Sequence, residues 1–200
     1  MIRDEDLLDA ARDVFREEGH AATTAKIAKR AGVSEGILYY RYKSKETLLV
    51  AVIHRETEPP EALRDVVKAA GQRSVAENLV AIVEILVEAV SRAHPFLELA
   101  LTSSSSGEIH KQLFTKAKKP PPQQMIELIA EYLEAEIHFG RIRTVDTLAA
   151  ARATFGGCIE HVRASGPAAG GDEARQAFVR GLADLLLHGT ARTASSRRQR

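Results

Sequence analysis

The chain has 200 residues, a formal net charge of +1 at neutral pH and one cysteine, and 44% of its residues are hydrophobic. This length can bury a sizeable core, and the composition is ordinary for a globular protein, which excludes disorder of the whole chain. No apolar run approaches the roughly 18 residues of a membrane helix, and no signal-peptide core occurs near Met1, so we expect a cytoplasmic protein. The single cysteine, Cys158, cannot form an internal disulfide, which fits a reducing compartment, and we expect it to be a buried small hydrophobe.

Charge is unevenly distributed over the first 55 residues. Residues 1–20 contain three arginines and seven acidic residues, a net charge of −4, whereas residues 21–55 contain seven lysines and arginines and two acidic residues, a net charge of +5. A local excess of positive charge is typical of a surface that binds phosphates. The alternative is a solvated face beside an acidic helix, with charges that pair between the two, and charge alone does not decide between these interpretations.

Apolar spacing and capping residues predict four short helices before the two prolines at 59 and 60. The predicted helices run from near the N-terminus to Gly19, from Thr23 or Thr24 to Gly32 and from Ser34 to about Tyr40, and the fourth begins at Ser44 and ends before Pro59.

Beyond the prolines, the apolar stripes are longer and predict longer helices. The first is a helix with an apolar stripe from Leu79 to Val90, and it stops at His94-Pro95. A short amphipathic helix with Ile109 and Phe114 follows, between loops at 102–107 and 118–122. Of the last three predicted helices, one ends at Gly140, one runs from Val145 to Arg163 and one runs from Ala174 to His188. No segment has the alternating pattern of a strand. We therefore expect an all-α fold.

Residues 23–45, TTAKIAKRAGVSEGILYYRYKSK, have the pattern of a helix-turn-helix. Ala28 is small enough for two helices to cross closely, and Gly32 tolerates the positive φ that the turn needs. With Leu38 turned inward, helical geometry points Gly36 and Tyr40 outward. Two adjacent tyrosines exposed on a short helix are unfavourable on a monomer surface, so they indicate that a binding partner covers them. In a DNA major groove their hydroxyls reach phosphates and their rings pack on sugars and thymine methyl groups.

Lys45 is a second indication of DNA binding. A cation in the first turn of a helix opposes the helix dipole, but beside free backbone N–H groups it builds an anion site for a DNA phosphate. Thr24 lies at the start of its helix in the same way. A capped, solvated helix start is the simpler interpretation of each residue alone, whereas their order along the chain favours DNA binding.

The segment AGVSEGILYYRYKSKETLL resembles the DNA-binding domain of TetR/AcrR-family transcriptional regulators, specifically over residues 5–55 and only in architecture beyond them. The resemblance implies that bases or neighbouring backbone are approached by Glu35, Gly36, Ile37, Tyr40 and Arg41, and that phosphates are held by Thr24, Tyr39 and Lys45. Ile37 stands where a small hydroxyl residue is frequent, which favours an apolar contact such as a thymine methyl group. Glu35 accepts from a cytosine amine or points outward, and the outward orientation is favoured.

The resemblance also implies a domain organisation. Residues 1–55 are expected to form an N-terminal three-helix helix-turn-helix DNA-binding domain and residues 56–190 a C-terminal helical ligand-binding and dimerisation domain, followed by a disordered basic tail at 191–200. One recognition helix contacts too few bases to find a site in a genome, so we expect a homodimer on a palindromic operator of double-stranded DNA. The expected dimer surface consists of Leu148, Ala149, Arg152, Phe155, Gly156, Ile159, Val162, Phe178, Leu182, Leu185 and Leu186. Ordinary core packing is the alternative for each of them.

A small-molecule effector is expected among the central helices, residues 74–139 and 145–163, but the sequence does not identify it. Aromatic and methionine side chains that could line a cavity, although core packing is the favoured interpretation of them, are Phe96, Phe114, Met125, Tyr132 and Phe155. The expected function is thus a repressor that a ligand releases from DNA, with no cofactor or metal.

Two other classes of function stay open: a helical protein-interaction module and, less favoured, an enzyme. The seven histidines are scattered, and the chain has no HExxH motif, glycine-rich phosphate loop or nucleophile elbow. Glu131, Glu134 and Glu136 with His138 fit the solvated side of an amphipathic helix better than a metal site.

Overall fold

The computed structural model describes residues 2–115, 120–165 and 171–189, and within these residues it contains helices and no strand. The helices are α1 (Asp4–Glu18), α2 (Thr24–Arg30), α3 (Glu35–Tyr42), α4 (Lys45–Glu56), α5 (Glu61–Lys68), α6 (Val75–Thr102), α7 (Ser106–Thr115), α8 (Pro121–His138), α9 (Thr147–Ser165) and α10 (Asp172–His188), with a short 3-10 helix at Gly19–Ala21 between the first two. The all-α prediction is confirmed. The tail at 191–200 lies outside the described residues.

The chain divides into two compact units. Among the described residues, the first unit contains those within 2–60 and 88–125 and the second contains those within 61–87 and 126–189, so that α6 contributes to both. The first unit has one apolar core in which Leu7 of α1, Leu38 of α3 and Leu48 of α4 share a cluster with Phe96 of α6 and Ile109 of α7. In the part of the chain that the structure describes, none of the helices has both the length and the apolarity needed to cross a membrane.

Helices α2, α3 and α4 begin at the capping residues that the sequence indicates. The side chains of Thr23, Ser34 and Ser44 each accept a hydrogen bond from the backbone N–H three residues later. Each cap supplies a partner for one of the N–H groups that a helix start leaves without one, which typically contributes about 1 kcal/mol. The start of each of the three helices is therefore determined locally.

Helix α6 contradicts a predicted boundary, because it continues through Pro95 to Thr102. An internal proline removes a backbone hydrogen bond and costs about 3 kcal/mol. Beyond it, Phe96, Leu99 and Ala100 are buried in the core of the first unit. Burial of a large apolar side chain contributes roughly 1.5–3 kcal/mol, so tertiary packing offsets the break.

The predicted loops at 102–107 and 118–122 both end earlier than expected. Helix α7 begins at Ser106 and helix α8 at Pro121, while residues 116–119 lie outside the described part of the chain. Proline is favoured in the first turn of a helix, where its missing N–H group costs nothing. The run of prolines therefore starts α8 instead of belonging wholly to a loop.

The interpretation of the α8 carboxylates as one solvated row was wrong for Glu136. Glu131 and Glu134 are exposed, but Glu136 is completely buried. One of its carboxylate oxygens accepts a hydrogen bond from the Gly71 N–H at 3.2 Å, and the other lies 3.3 Å from Nε of Arg141. A buried carboxylate needs such partners. Both come from outside α8, where the periodicity of the helix carries no information about them.

Candidate nucleic-acid interface

Helix α3 has one anchored and one exposed side. Leu38 is only 1% exposed, whereas Ile37, Tyr39 and Tyr40 are 43%, 65% and 78% exposed, and Gly36 is exposed as well. The orientation predicted from helical geometry, with Leu38 inside and Gly36 and Tyr40 outside, is confirmed. A short helix thus presents an isoleucine and two tyrosines to solvent.

The turn before α3 is set by Gly32. Its φ is +68°, and a Cβ added there would meet no atom within 4 Å. Glycine is therefore required by the backbone conformation and not by a lack of space. The next residue, Val33, donates its N–H to the carbonyl of Ala28 at 3.0 Å, which ties the turn to α2.

Pairing with α1 neutralises much of the positive charge at residues 21–55. Four of the seven lysines and arginines form ion pairs with the first helix: Lys26 with Glu18 at 2.6 Å, Arg30 with Glu17 at 2.6 Å, Arg41 with Asp4 at 2.6 Å and Arg55 with Asp9 at 3.2 Å. The interpretation of charges that pair with the acidic helix holds for these four. Lys29, Lys43 and Lys45 form no ion pair with any described residue. Their charges are the ones left for a phosphate.

Arg41 does not project with Tyr40. Its guanidinium donates to the Asp4 carboxylate at 2.6 Å and to the carbonyl of Ile2 at 2.9 Å, and its side chain is only 23% exposed. To reach a base, Arg41 would first have to release Asp4. Its predicted DNA contact stays a prediction.

Thr24 and Glu35 contact each other across the helix-turn-helix. The Thr24 hydroxyl donates to the Glu35 carboxylate, so the first residues of α2 and α3 are joined. Glu35 is exposed, but its carboxylate is held by this hydrogen bond and is not freely solvated, and its orientation relative to DNA stays a prediction. Because like charges repel, a carboxylate fixed here opposes an approaching phosphate.

The side chain of Lys45 binds the backbone of the connection between α1 and α2. Its ammonium group donates to the carbonyls of His20 and Ala22, both at 3.0 Å. An ammonium group has three donors, so one is left for a ligand. The structure thus adds an intramolecular role to the predicted phosphate contact.

The sequence interpretation missed Lys43, which ends α3. It is exposed, its φ is +58° and its ammonium nitrogen lies 5.1 Å from the centre of the Tyr40 ring. The signal that could have found it is a lysine at a helix end where glycine or asparagine is favoured.

Residues 7–52 match the family described as "Bacterial regulatory proteins, tetR family". The chain is similar to the HTH-type transcriptional regulator BetI of Klebsiella pneumoniae (strain 342), with 46% identity over 67 residues that make up 33% of this chain and 33% of that protein. The chain therefore spans about a third of the length of this curated relative.

Over more than nine-tenths of the chain, the fold is similar to that of solved regulator structures. The transcriptional regulator FadR from Bacillus subtilis in complex with stearoyl-CoA superposes with a TM-score of 0.68 at 21% identity, over 94% of this chain and 100% of that chain. The TetR-family transcriptional regulator PfmR from Thermus thermophilus superposes with a TM-score of 0.63 at 23% identity, over 93% and 99% of the two chains. At these identities the likeness shows a common fold.

Proposed function

Since this chain carries the helix-turn-helix domain of the TetR family, we propose that it is a sequence-specific DNA-binding transcriptional regulator. The observation that supports this most strongly is the face of α3. Gly36, Ile37 and Tyr40 are exposed there while Leu38 anchors the helix in the core. We further propose that it is a repressor, which binds a palindromic operator as a homodimer and dissociates from it when a small molecule binds.

The chemistry of the α3 face suits a major groove. The methyl groups of Ile37 fit against a thymine methyl group, and the absent side chain of Gly36 lets the helix backbone approach the bases. The hydroxyl of Tyr39 reaches a phosphate oxygen, where it fixes the register of the helix, and the ring of Tyr40 packs on a thymine methyl group. Lys45 adds a charged donor at the start of the following helix.

Helix α9 supports the proposed dimer. Leu148 and Ile159 are 36% and 40% exposed, and Gly156 between them is exposed too. Their spacing of eight and three residues places them on one face of the helix. Phe155 and Val162, which the sequence included in the same surface, are buried within their own chain and add little area to it.

Helix α10 contributes to the same proposed surface. Leu185 is 45% exposed and Leu182 is half-buried, whereas the ring of Phe178 stacks on His161 of α9 with ring centres 4.0 Å apart. We propose that the exposed faces of α9 and α10 pair with those of a second copy. A two-fold dimer of this kind requires a palindromic operator.

A cavity in the second unit supports the proposed effector. It has a volume of about 630 Å³ and is bordered by Leu79, Leu133 and residues 141–143, 145–146, 149–150 and 185–187. This size suits a small ligand. The FadR structure contains stearoyl-CoA, and a small molecule with an apolar part fits the leucines of this cavity. A ligand that moves the dimer from mostly DNA-bound to mostly released needs roughly 3–5 kcal/mol of preference for the released state.

The four aromatic residues and the methionine that the sequence offered as cavity-lining or core residues do not border this cavity. Phe96, Met125, Tyr132 and Phe155 are buried, and Phe114 is 45% exposed. The four buried side chains fit the alternative interpretation of core packing.

Selection of random duplexes by the purified protein tests the proposal, and we expect the selected sequences to share a palindrome. The affinity for the selected duplex is then measured by fluorescence anisotropy between about 50 and 200 mM salt, where several phosphate contacts weaken binding by orders of magnitude. Lys45→Ala should weaken all duplexes alike, whereas Tyr40→Ala should also change the sequence preference. Thermal unfolding of both variants separates a lost DNA contact from a loosened fold, which matters for Lys45 because of its two backbone carbonyl partners.

The two other classes of function predict a result that differs from that of a DNA-binding regulator. A protein-interaction module or an enzyme would bind duplex DNA weakly and without an enriched sequence. Equal binding of mixed and selected duplexes by the wild-type protein and both variants would refute sequence-specific recognition by α3.

A further inference from the structure

We propose that Lys43 contacts a DNA phosphate and that the chain retains this lysine at a cost to its own stability. This inference rests on the proposed function and adds to it a binding residue that neither the helix-turn-helix pattern nor the family resemblance indicated. It follows from the backbone conformation of Lys43, from its charge and from its contact with Tyr40.

The backbone conformation of Lys43 is unfavourable for a lysine. Its φ and ψ are +58° and −35°, whereas the small left-handed region open to side-chain-bearing residues has ψ between about +30° and +60°. Among the described residues, every other positive φ belongs to a glycine. A glycine at this helix end would adopt the same conformation without strain.

The turn at the end of α3 explains why residue 43 has a positive φ, but it does not explain why this residue is a lysine. The Lys43 N–H donates to the carbonyl of Tyr39 at 2.9 Å and the Ser44 N–H to the carbonyl of Tyr42, which closes the end of α3. These are backbone hydrogen bonds that a glycine would make equally well. Strained residues that are not needed for the fold are concentrated at functional sites.

The side chain of Lys43 is placed where DNA is proposed to bind. Its ammonium nitrogen lies 5.1 Å from the centre of the Tyr40 ring, and Tyr40 is 78% exposed on the outward face of α3. The contact with the ring directs a long, flexible side chain toward that face and lowers the entropy lost when it binds. Lys43 and Tyr40 also border the same surface depression, together with Arg41 and Tyr42.

The charge of Lys43 is available to a phosphate. Lys26, Arg30 and Arg41 are paired with carboxylates of α1, but Lys43 forms no ion pair with any residue that the structure describes. A phosphate contact of this kind is independent of base sequence. It should therefore change affinity and salt dependence but leave the preferred sequence unaltered.

Two substitutions of Lys43 in the full-length protein test the proposal. Lys43→Gly removes both the strain and the charge, whereas Lys43→Arg keeps both. Binding is measured by fluorescence anisotropy on a mixed-sequence duplex of about 30 base pairs at several salt concentrations. Thermal unfolding is measured without DNA. Lys68→Gln on α5, an exposed lysine of the second unit, is the control for the loss of one charge.

We expect Lys43→Gly to raise Tm by about 2–4 °C and to weaken binding on the order of 8-fold per contact at about 0.1 M salt, with the salt slope reduced by about one for each bound subunit. Lys43→Arg should keep the wild-type slope and Tm, and Lys68→Gln should leave binding unchanged. A Lys43→Gly variant that keeps the wild-type salt slope, or that loses slope and stability together, overturns the proposal. Absence of duplex binding by the wild-type protein would instead refute the proposed function.

Discussion

The substitution Gly36→Ala should stabilise the protein and weaken its binding to DNA. Gly36 is the second residue of α3, its side-chain position is exposed, and a Cβ added there would have as its nearest neighbour the Ser34 hydroxyl oxygen at 3.8 Å. This distance is an ordinary van der Waals contact, so the methyl group fits the free protein without strain. An alanine in a helix is more favourable than a glycine by roughly 0.5–1 kcal/mol. For a chain of this length, Tm should rise by about 1–4 °C.

The effect on DNA binding should have the opposite sign. If the α3 backbone approaches the bases at Gly36, an added methyl group displaces the helix and loosens the neighbouring contacts of Ile37 and Tyr40. We expect the affinity for the selected operator to fall at least tenfold, which corresponds to about 1.4 kcal/mol. Fluorescence anisotropy of the selected duplex measures this change, and thermal unfolding without DNA measures the stability.

Gly107→Ala is a matched control, because Gly107 is likewise the second residue of an exposed helix start, that of α7, and has no atom within 4 Å of an added Cβ. It should raise Tm to a similar extent and leave the affinity unchanged. If Gly36→Ala stabilises the protein and binds the operator as tightly as the wild type, α3 does not approach DNA at this residue, and the reasoning from its exposed face is wrong.

Two further predictions concern Glu35 and Cys158. Glu35→Gln keeps an acceptor for the Thr24 hydroxyl but removes a negative charge. The affinity for a mixed-sequence duplex at about 50 mM salt should therefore rise roughly two- to eight-fold, and this gain should shrink at high salt. A lower affinity in the same anisotropy titration would show that the carboxylate itself contributes to binding. Burial raises the pKa of the Cys158 thiol to about 12, so on the order of 1 in 10⁴ molecules carry the thiolate at pH 8 and iodoacetamide should alkylate the native protein far more slowly than the denatured one. Mass spectrometry measures both rates, and rapid alkylation of the native protein would contradict the buried position of this cysteine.

Local features of the sequence predicted the geometry of α3 well. The caps at Ser34 and Ser44, the positive φ of Gly32 and the inward side of Leu38 all depend on residues within a few positions of one another. Capping, turn conformation and the 3.6-residue period are short-range effects, so they can be recognised without the rest of the fold. For the same reason the exposure of Tyr40 could be predicted.

The partners of the charged residues in the helix-turn-helix could not be predicted. Arg41 binds Asp4, 37 positions earlier, and Lys45 binds backbone carbonyls more than 20 positions earlier. The resemblance implied DNA contacts for both residues but contained nothing about these intramolecular bonds. They bear on any experiment with either residue, because a substitution changes the fold as well as the interface.

The amino-acid order by itself determined that the chain is helical, where most of its helices begin and which side of α3 faces outward, since these follow from caps, glycines and apolar spacing within a few residues. Only the tertiary structure decided that α6 passes through Pro95 and that Glu136 is buried beside Arg141. It also decided which of the seven cations at residues 21–55 stay free of carboxylates. The physical reason is that burial and ion pairing depend on groups brought together from distant parts of the chain, and these contacts can outweigh a local preference of a few kcal/mol.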